Sequence, residues 1–364
     1  MSPRTVRDVR SMEFSYRSLP YNVLFNEGAI ARLPDEVRKL GSKALVLCTP
    51  EQRATAESAS RALGELAVGI FDRATMHVPR EIAEQARAAA GQLGADVCVA
   101  IGGGSTIGLG KAIALVSEIP IIAVPTTYAG SEMTPIWGMT TGGLKQTGRD
   151  PRVLPRTVIY DPNLTVSLPA ALSVTSGINA LAHCAEAMYT QDTNPILQLM
   201  AEEGIRSLAF SLPVLVSHPG DLQARTEALY GAWLAGTCLG SAGVALHHKL
   251  CHVLGGTCNL PHSETHTIVL PHVLAYNAAA VPGAMLRISR ALSADDVPKA
   301  LFDLAGGLGA KMALKDLGMA AGDIERVVEV ALQNPYWNPE PVTSSGLRRL
   351  LSNAYWGMQP VAAA

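Results

Sequence analysis

The sequence predicts an α/β domain built on a parallel sheet, over residues 1–161, followed by an all-helical domain over 162–364. Three observations carry this. Short apolar runs alternate with helical patterns through the first 160 residues. Strand signals then nearly vanish. Between the most apolar run and the helix after it stand three consecutive glycines, Gly102 to Gly104.

In chain order, "YNVLF" (21–25), "ALVLC" (44–48), "VCVAI" (97–101), "IIAV" (121–124) and "TVIY" (157–160) have strand character. Helical periodicity fills 29–40, 53–66 and 80–93 between them. Apolar strands alternating with helices imply a parallel sheet covered on both faces. "YDPNLTVSLP" (160–169) is the joint, an Asp-Pro turn running into a polar segment. Beyond it, 173–190, 195–216, 222–253, 263–280, 283–292, 297–314 and 322–333 all have helical spacing. The stretch 222–253 reads as one long helix holding Gly231, Gly236, Gly240 and Gly243. Each glycine costs a helix about 1 kcal/mol, so close helix–helix contact is expected there.

Composition limits the function classes. The 364 residues are 48% hydrophobic and 16% charged, with a formal net charge of −2. That balance supplies no field for nucleic acid or an anionic membrane. The longest apolar stretch, "AIALVSEIPIIAVP", is broken by Glu118 and Pro120, short of the roughly 20 residues a membrane span needs. The N-terminus has no apolar signal region, and the six cysteines form no CxxC pair, so a cytoplasmic protein with reduced thiols is expected.

"VCVAIGGGSTIGLGKAIAL" is a strand, a turn of Gly102, Gly103, Gly104 and Ser105, and a helix. Such a turn lets backbone N–H groups approach an anion at a helix N-terminus. It departs from GxGxxG, with Ile107 at the last glycine position, and from the P-loop, with Ala112 after Lys111. A bare structural turn is the alternative. The next strand ends in "VPTTYAGSEMTP", where Thr126, Thr127, Ser131 and Thr134 offer hydroxyls. Two polar loops at neighbouring strand ends favour a Rossmann-like, dinucleotide-binding domain. Lys145 is assigned to the same cofactor set, although with Arg149 and Arg152 it could equally belong to a solvated or substrate-facing hairpin.

Residues 245–272, "ALHHKLCHVLGGTCNLPHSETHTIVLPH", hold six of the nine histidines. His248 and His252 stand four apart, and His262 follows ten residues later. In "SVTSGINALAHCAEAMY", Asn179 and His183 are also four apart and share a helix face. Together with His248 and His262, Asn179 and His183 make a plausible four-ligand constellation. His77, His218 and His272 have the ordinary structural reading, and His266 that of a supporting group. Glu186 and Glu202 look like solvated helix faces or ion pairs.

The glycine turn, "PTT…GSE", "NALAH" and "HHKLCH…GG…LPH", in this order over nearly the whole chain, resemble the iron-containing (group III) alcohol dehydrogenase family. That resemblance implies the dehydroquinate synthase-like architecture, a nicotinamide cofactor and a homodimer. It also implies a divalent metal in the cleft on an aspartate and three histidines, which fall here on Asn179, His183, His248 and His262. An asparagine thus replaces the one anionic ligand, leaving the ion's charge uncompensated.

The maleylacetate reductase branch of the family shows the same departure. "PTTYAGSEMTPIWG", "GRDPRVLPRTVIYDP" and "NPYWNP" also resemble that branch. It implies reduction of the carbon–carbon double bond of a small dicarboxylate, maleylacetate, to 3-oxoadipate in aromatic degradation, with no metal expected. On that reading His183, His248, His262 and His252 form the catalytic set, while Lys249, Asn179 and Tyr128 bind substrate. NADH is expected as the better donor, with NADPH tolerated, because Thr49-Pro50 follow the second strand and Glu51 begins a helix. The alternatives are a metal-dependent alcohol or aldehyde dehydrogenase, a cyclising lyase, and a non-catalytic dinucleotide-binding protein.

Overall fold

The computed structural model describes residues 14–361 except 17, 20, 143, 334 and 335. The α/β half runs β1 (Asn22–Phe25), α1 (Leu33–Leu40), β2 (Ala44–Leu47), α2 (Arg53–Leu63), β3 (Ala67–Phe71), α3 (Arg80–Leu93), β4 (Val97–Gly102), α4 (Gly104–Ser117) and β5 (Ile121–Pro125). A hairpin of β6 (Ile136–Thr141) and β7 (Leu144–Arg149) follows, then β8 (Thr157–Tyr160). The six-stranded sheet has the order β1-β8-β5-β4-β2-β3, and every pairing in it is parallel. Strands β2, β4, β5 and β8 are buried along their whole length, which is why they read as unbroken apolar runs. Helix α4 is apolar nearly all round and is buried accordingly.

The helical half comprises α5 (Ala170–Ala187), α6 (Pro195–Ser217), α7 (Leu222–Ser241), α8 (Leu246–Cys258), α9 (His262–Asn277), α10 (Pro282–Leu292), α11 (Val297–Gly307), α12 (Asp323–Leu332) and α13 (Ser344–Trp356). Among the described residues no single helix is long and apolar enough to cross a membrane.

The expected single helix over 222–253 is two helices. α7 ends at Ser241, and α8 leaves it at 94° after a break that contains Gly243. Only Gly231 supports the expected helix–helix contact, since a Cβ there would lie 2.8 Å from Leu208 on α6. Gly236 and Gly240 instead admit a loop, because Cβ atoms on them would meet Gly130 O at 2.6 Å and Met133 O at 2.5 Å. Strand β3 and helix α13 escape the sequence reading, while the hairpin raised there as one reading for Lys145 and Arg149 is β6–β7. β3 carries a central glycine, Gly69, in a short run, a weak strand signal.

One apolar cluster spans both halves, running from Ala100, Ile107 and Tyr128 into Leu181, Leu208 and Ala235. Above it the fully buried Arg225 on α7 donates to Tyr128 Oη (3.1 Å), Ser173 Oγ (2.9 Å), Leu168 O (3.1 Å) and Pro219 O (2.9 Å).

Candidate active site

The glycine turn lies at the carboxyl end of β4, and the Thr126-Thr127 loop at the adjacent end of β5, with Gly102 and Pro125 paired in register. Gly102 has φ 151°, and a Cβ on it would lie 2.4 Å from Thr106 Oγ1. A Cβ on Gly103 would lie 2.8 Å from Thr127 Oγ1. Gly104 opens α4, whose N-cap, Gly103, makes no side-chain bond, so the first helical N–H groups have no side-chain acceptor from that position. Two hydroxyls nearby, Thr106 Oγ1 and Thr126 Oγ1, are buried without a partner among the described residues. A backbone cradle that side chains would fill, lined by unspent donors, fits a dinucleotide pyrophosphate. Gly102, Gly103, Gly104, Ser105, Thr126 and Thr127 are thus brought together.

Ser131 and Thr134, expected on the cofactor, are turned to a different partner. The ammonium of the fully buried Lys111 on α4 donates to Ser131 O (2.6 Å), Thr134 O (2.8 Å), Thr134 Oγ1 (3.0 Å) and Ile136 O (2.8 Å). Burial pushes Lys111 down to about 7, while buried Glu132 draws it back up. This knot fixes the 131–136 loop, and its lysine was hidden in the sequence within an apolar helix. Tyr128, expected on the substrate, is fully buried and its phenol is taken by Arg225, so it ties the halves together instead. Lys145 lies on β7 opposite Thr140, and its side chain lies outside the described residues.

Asn179, His183 and Glu186 lie on one face of α5, at i, i+4 and i+7. Glu186 is the residue that sequence reasoning missed. It is 1% exposed, not a solvated face, and accepts from Ala245 N (2.9 Å), His247 N (2.7 Å) and His248 Nδ1 (2.6 Å). It therefore caps α8 from a neighbouring helix and holds the His248 ring. Its spacing from His183 was the available signal. Glu202, by contrast, is the ion pair anticipated, with Arg287 and Arg290.

The partners assign the protons. Ala129 O only accepts, so His183 Nε2 donates to it at 3.2 Å. Burial, then the neighbouring His248, pushes His183 well below the ordinary imidazole range, so its ring is neutral and its Nδ1 a lone pair. His248 Nε2, 2.8 Å away, donates to that lone pair. His248 thus has a partner at each ring nitrogen, Glu186 at Nδ1 and His183 at Nε2. Asn179 agrees once its amide is turned over, which brings the partnerless Oδ1 to His183 Nε2, 3.3 Å from the present amide nitrogen.

A cavity of about 290 Å³ is reached from this network through His252, whose ring centroid lies 6.3 Å from that of His248, which does not itself line it. Cys251, His252 and His262 line it from the helical half, and His77 and Thr140 from the α/β half. His77, expected to be structural, thus reaches the cleft, whereas His218 is exposed and His272 is packed in the interior. The His252 and His262 rings lie near-parallel, 6.5 Å apart. Lys249 is not among the lining residues, and its ammonium stands 5.2 Å from the Tyr336 ring centroid.

Asn179, His183, His248 and His262 fit a resident divalent ion poorly. His183 and His248 turn nitrogens on each other, Ala129 O engages the second His183 nitrogen, and no ligand is anionic. A different trio has metal-like spacing: His247, Cys251 and His266 hold their ligand atoms within 4.8 Å of one another, all buried. Two imidazoles and a thiol would suit a soft cation. The bond between His247 Nε2 and His266 Nδ1 (2.8 Å) now closes it.

The two halves match two family models, "Iron-containing alcohol dehydrogenase" over residues 20–162 and "Fe-containing alcohol dehydrogenase family, C-terminal" over 173–355. The maleylacetate reductase of Sphingobium indicum is 55% identical over 97% of this chain and 100% of its own. That of Burkholderia cepacia is 57% identical over 93% and 96%. The crystal structure of maleylacetate reductase from Agrobacterium tumefaciens superposes with a TM-score of 0.92 at 48% identity, covering 96% of this chain and 100% of the other. With both halves matched and relatives this similar over nearly full length, the chain belongs to the iron-containing alcohol dehydrogenase family.

Proposed function

We propose that this protein reduces the carbon–carbon double bond of maleylacetate to give 3-oxoadipate, using NAD(P)H and no catalytic metal. The observation that carries the reading is the pairing of a histidine-walled cavity with a Glu186–His248 proton store behind it. Reduced nicotinamide, when bound, supplies a hydride to the alkene carbon β to the ketone. Negative charge then grows on the ketone oxygen as an enolate, and a second carbon must be protonated. His252 and His262 line the cavity and offer hydrogen bonds to that oxygen. His248 carries the proton, Glu186 compensates its charge, and His183, turned by Asn179, accepts its hydrogen bond.

NADH is the preferred donor in this reading, with NADPH tolerated. Arg53, the cation following the β2 turn, is already paired with Glu57 (2.9 Å) and with Asp72, which leaves it occupied when a 2′-phosphate arrives. The domain boundary falls at 161/162, supported by the end of β8 at Tyr160 and the start of α5 at Ala170. Family resemblance supports a homodimer, and six free cysteines agree with a reducing cytoplasm.

Lys249 is the helical half's counter-charge for one carboxylate. Its ammonium sits against the Tyr336 ring rather than in an ion pair with a carboxylate of the described residues. Lys249→Ala should raise the KM for maleylacetate about 10-fold, and that for NADH much less, the scale of one lost charge-assisted hydrogen bond. Equal effects in a steady-state assay would assign Lys249 a structural part instead.

The test of the whole reading follows NADH absorbance with maleylacetate before and after prolonged chelation. Full turnover after chelation, with no gain from added iron or zinc, is expected. Loss of turnover that one equivalent of divalent ion restores would establish the metal-dependent reading instead.

A further inference from the structure

We infer that His77 recognises one of the substrate's carboxylates from the α/β wall of the cleft, opposite His252 and His262. This rests on the proposal that the substrate is a dicarboxylate. Among the described residues no lysine or arginine lines the cavity, and with Lys249 proposed for one carboxylate the other still needs a partner there. Imidazoles are the only lining side chains of the described residues that can carry positive charge, and two of them, His252 and His262, come from the helical half. His77 is the one contributed by the other half, so a substrate whose ketone oxygen meets His252 and His262 would have a carboxylate held from the other wall.

The backbone under His77 is built to present it. His77 has φ 66° and Val78 φ 46°, two successive non-glycine residues in the left-handed region. For β-branched Val78 this conformation is a genuine outlier, and residues so strained persist only where their surroundings over-determine them. Here the surroundings do. Thr140 Oγ1 donates to His77 O (3.0 Å), Thr140 N donates to Val78 O (3.2 Å), and Pro79 bridges to Thr140. The Val78 side chain is packed against Gly108 of α4, where a Cβ would come within 2.8 Å of it. The β6 hairpin and the helix of the glycine turn thus hold the strained pair jointly. Thr140 itself lines the cavity beside His77, so the anchor and the anchored group share one wall.

His77→Gly provides a clean test, because glycine adopts positive φ without strain and the fold is kept. It should raise the KM for maleylacetate about 10-fold while leaving kcat and the KM for NADH in place. His77→Asn, which tolerates the same backbone and keeps a donor, should recover part of the loss. A parallel rise in the KM for NADH would assign His77 to the cofactor and overturn the inference, as would an unmoved KM for maleylacetate. Failure of the unmodified protein to reduce maleylacetate would overturn the functional reading and this inference with it. Turnover by the unmodified protein with no effect of His77→Gly overturns the inference alone.

Discussion

Glu186→Gln should lower kcat for maleylacetate by about 10²-fold while the protein stays folded, the loss expected when a positioned proton donor is disabled. Ala245 N and His247 N donate to different oxygens of Glu186, so glutamine keeps an acceptor for one of them and the start of α8 stays partly capped. What it removes is the negative charge 2.6 Å from His248 Nδ1. Without it, the proposed proton store loses the anion that compensates its charge. Glu186→Ala goes further, leaving two helix N–H groups and His248 without their acceptor. Uncapping a buried charge partner costs about 3–5 kcal/mol, so this variant should also melt earlier. His248→Ala should match Glu186→Gln in kcat, and the double variant should lose little more than either. Additive losses in that cycle would mean that the two residues act separately and do not share one proton store.

Gly103→Val should abolish measurable NADH binding at ordinary concentrations, weakening it by about 10²-fold, the scale of a misplaced reacting group in a closed site. The first atom added at Gly103 already meets Thr127 Oγ1 at 2.8 Å and Cγ2 at 2.9 Å, and the branches of valine would fill the cradle itself. Gly91→Ala on α3, outside the turn, is the control, since its Cβ meets nothing within 4 Å. Fluorescence titration with NADH would separate them. Unchanged affinity in Gly103→Val would remove the turn from the cofactor site.

Much of the fold was legible because its signals are local. Strands β1, β2, β4, β5 and β8 and the helices between them announce themselves by period and length, and the joint by Asp-Pro. The break between α7 and α8 was not legible, because Glu186, fifty-nine residues before Ala245, supplies the cap that a local residue would otherwise signal. The glycine turn lies at the end of β4 beside the Thr126-Thr127 loop, and His252 and His262 both line the cavity. Three assignments went astray through groups remote in sequence. Ser131 and Thr134 are claimed by Lys111, and Tyr128 by Arg225, neither of which periodicity distinguishes from its apolar surroundings. His77 has no spacing relation to the other histidines, and only the folded cleft brings it to them.

Arg225 gives the joint between the halves a second meaning. Its guanidinium binds oxygens from the loop after β5, from the joint itself and from α5, over an apolar cluster that both halves fill. Cutting the chain at the joint would strip cover from Ala100, Ile107 and Tyr128 on one piece and from Leu181 and Ala235 on the other. The two halves are therefore distinct in architecture but not modular. Neither could be exchanged for a relative's counterpart without carrying the matching side of that cluster, so sequence change on one side is constrained by the other.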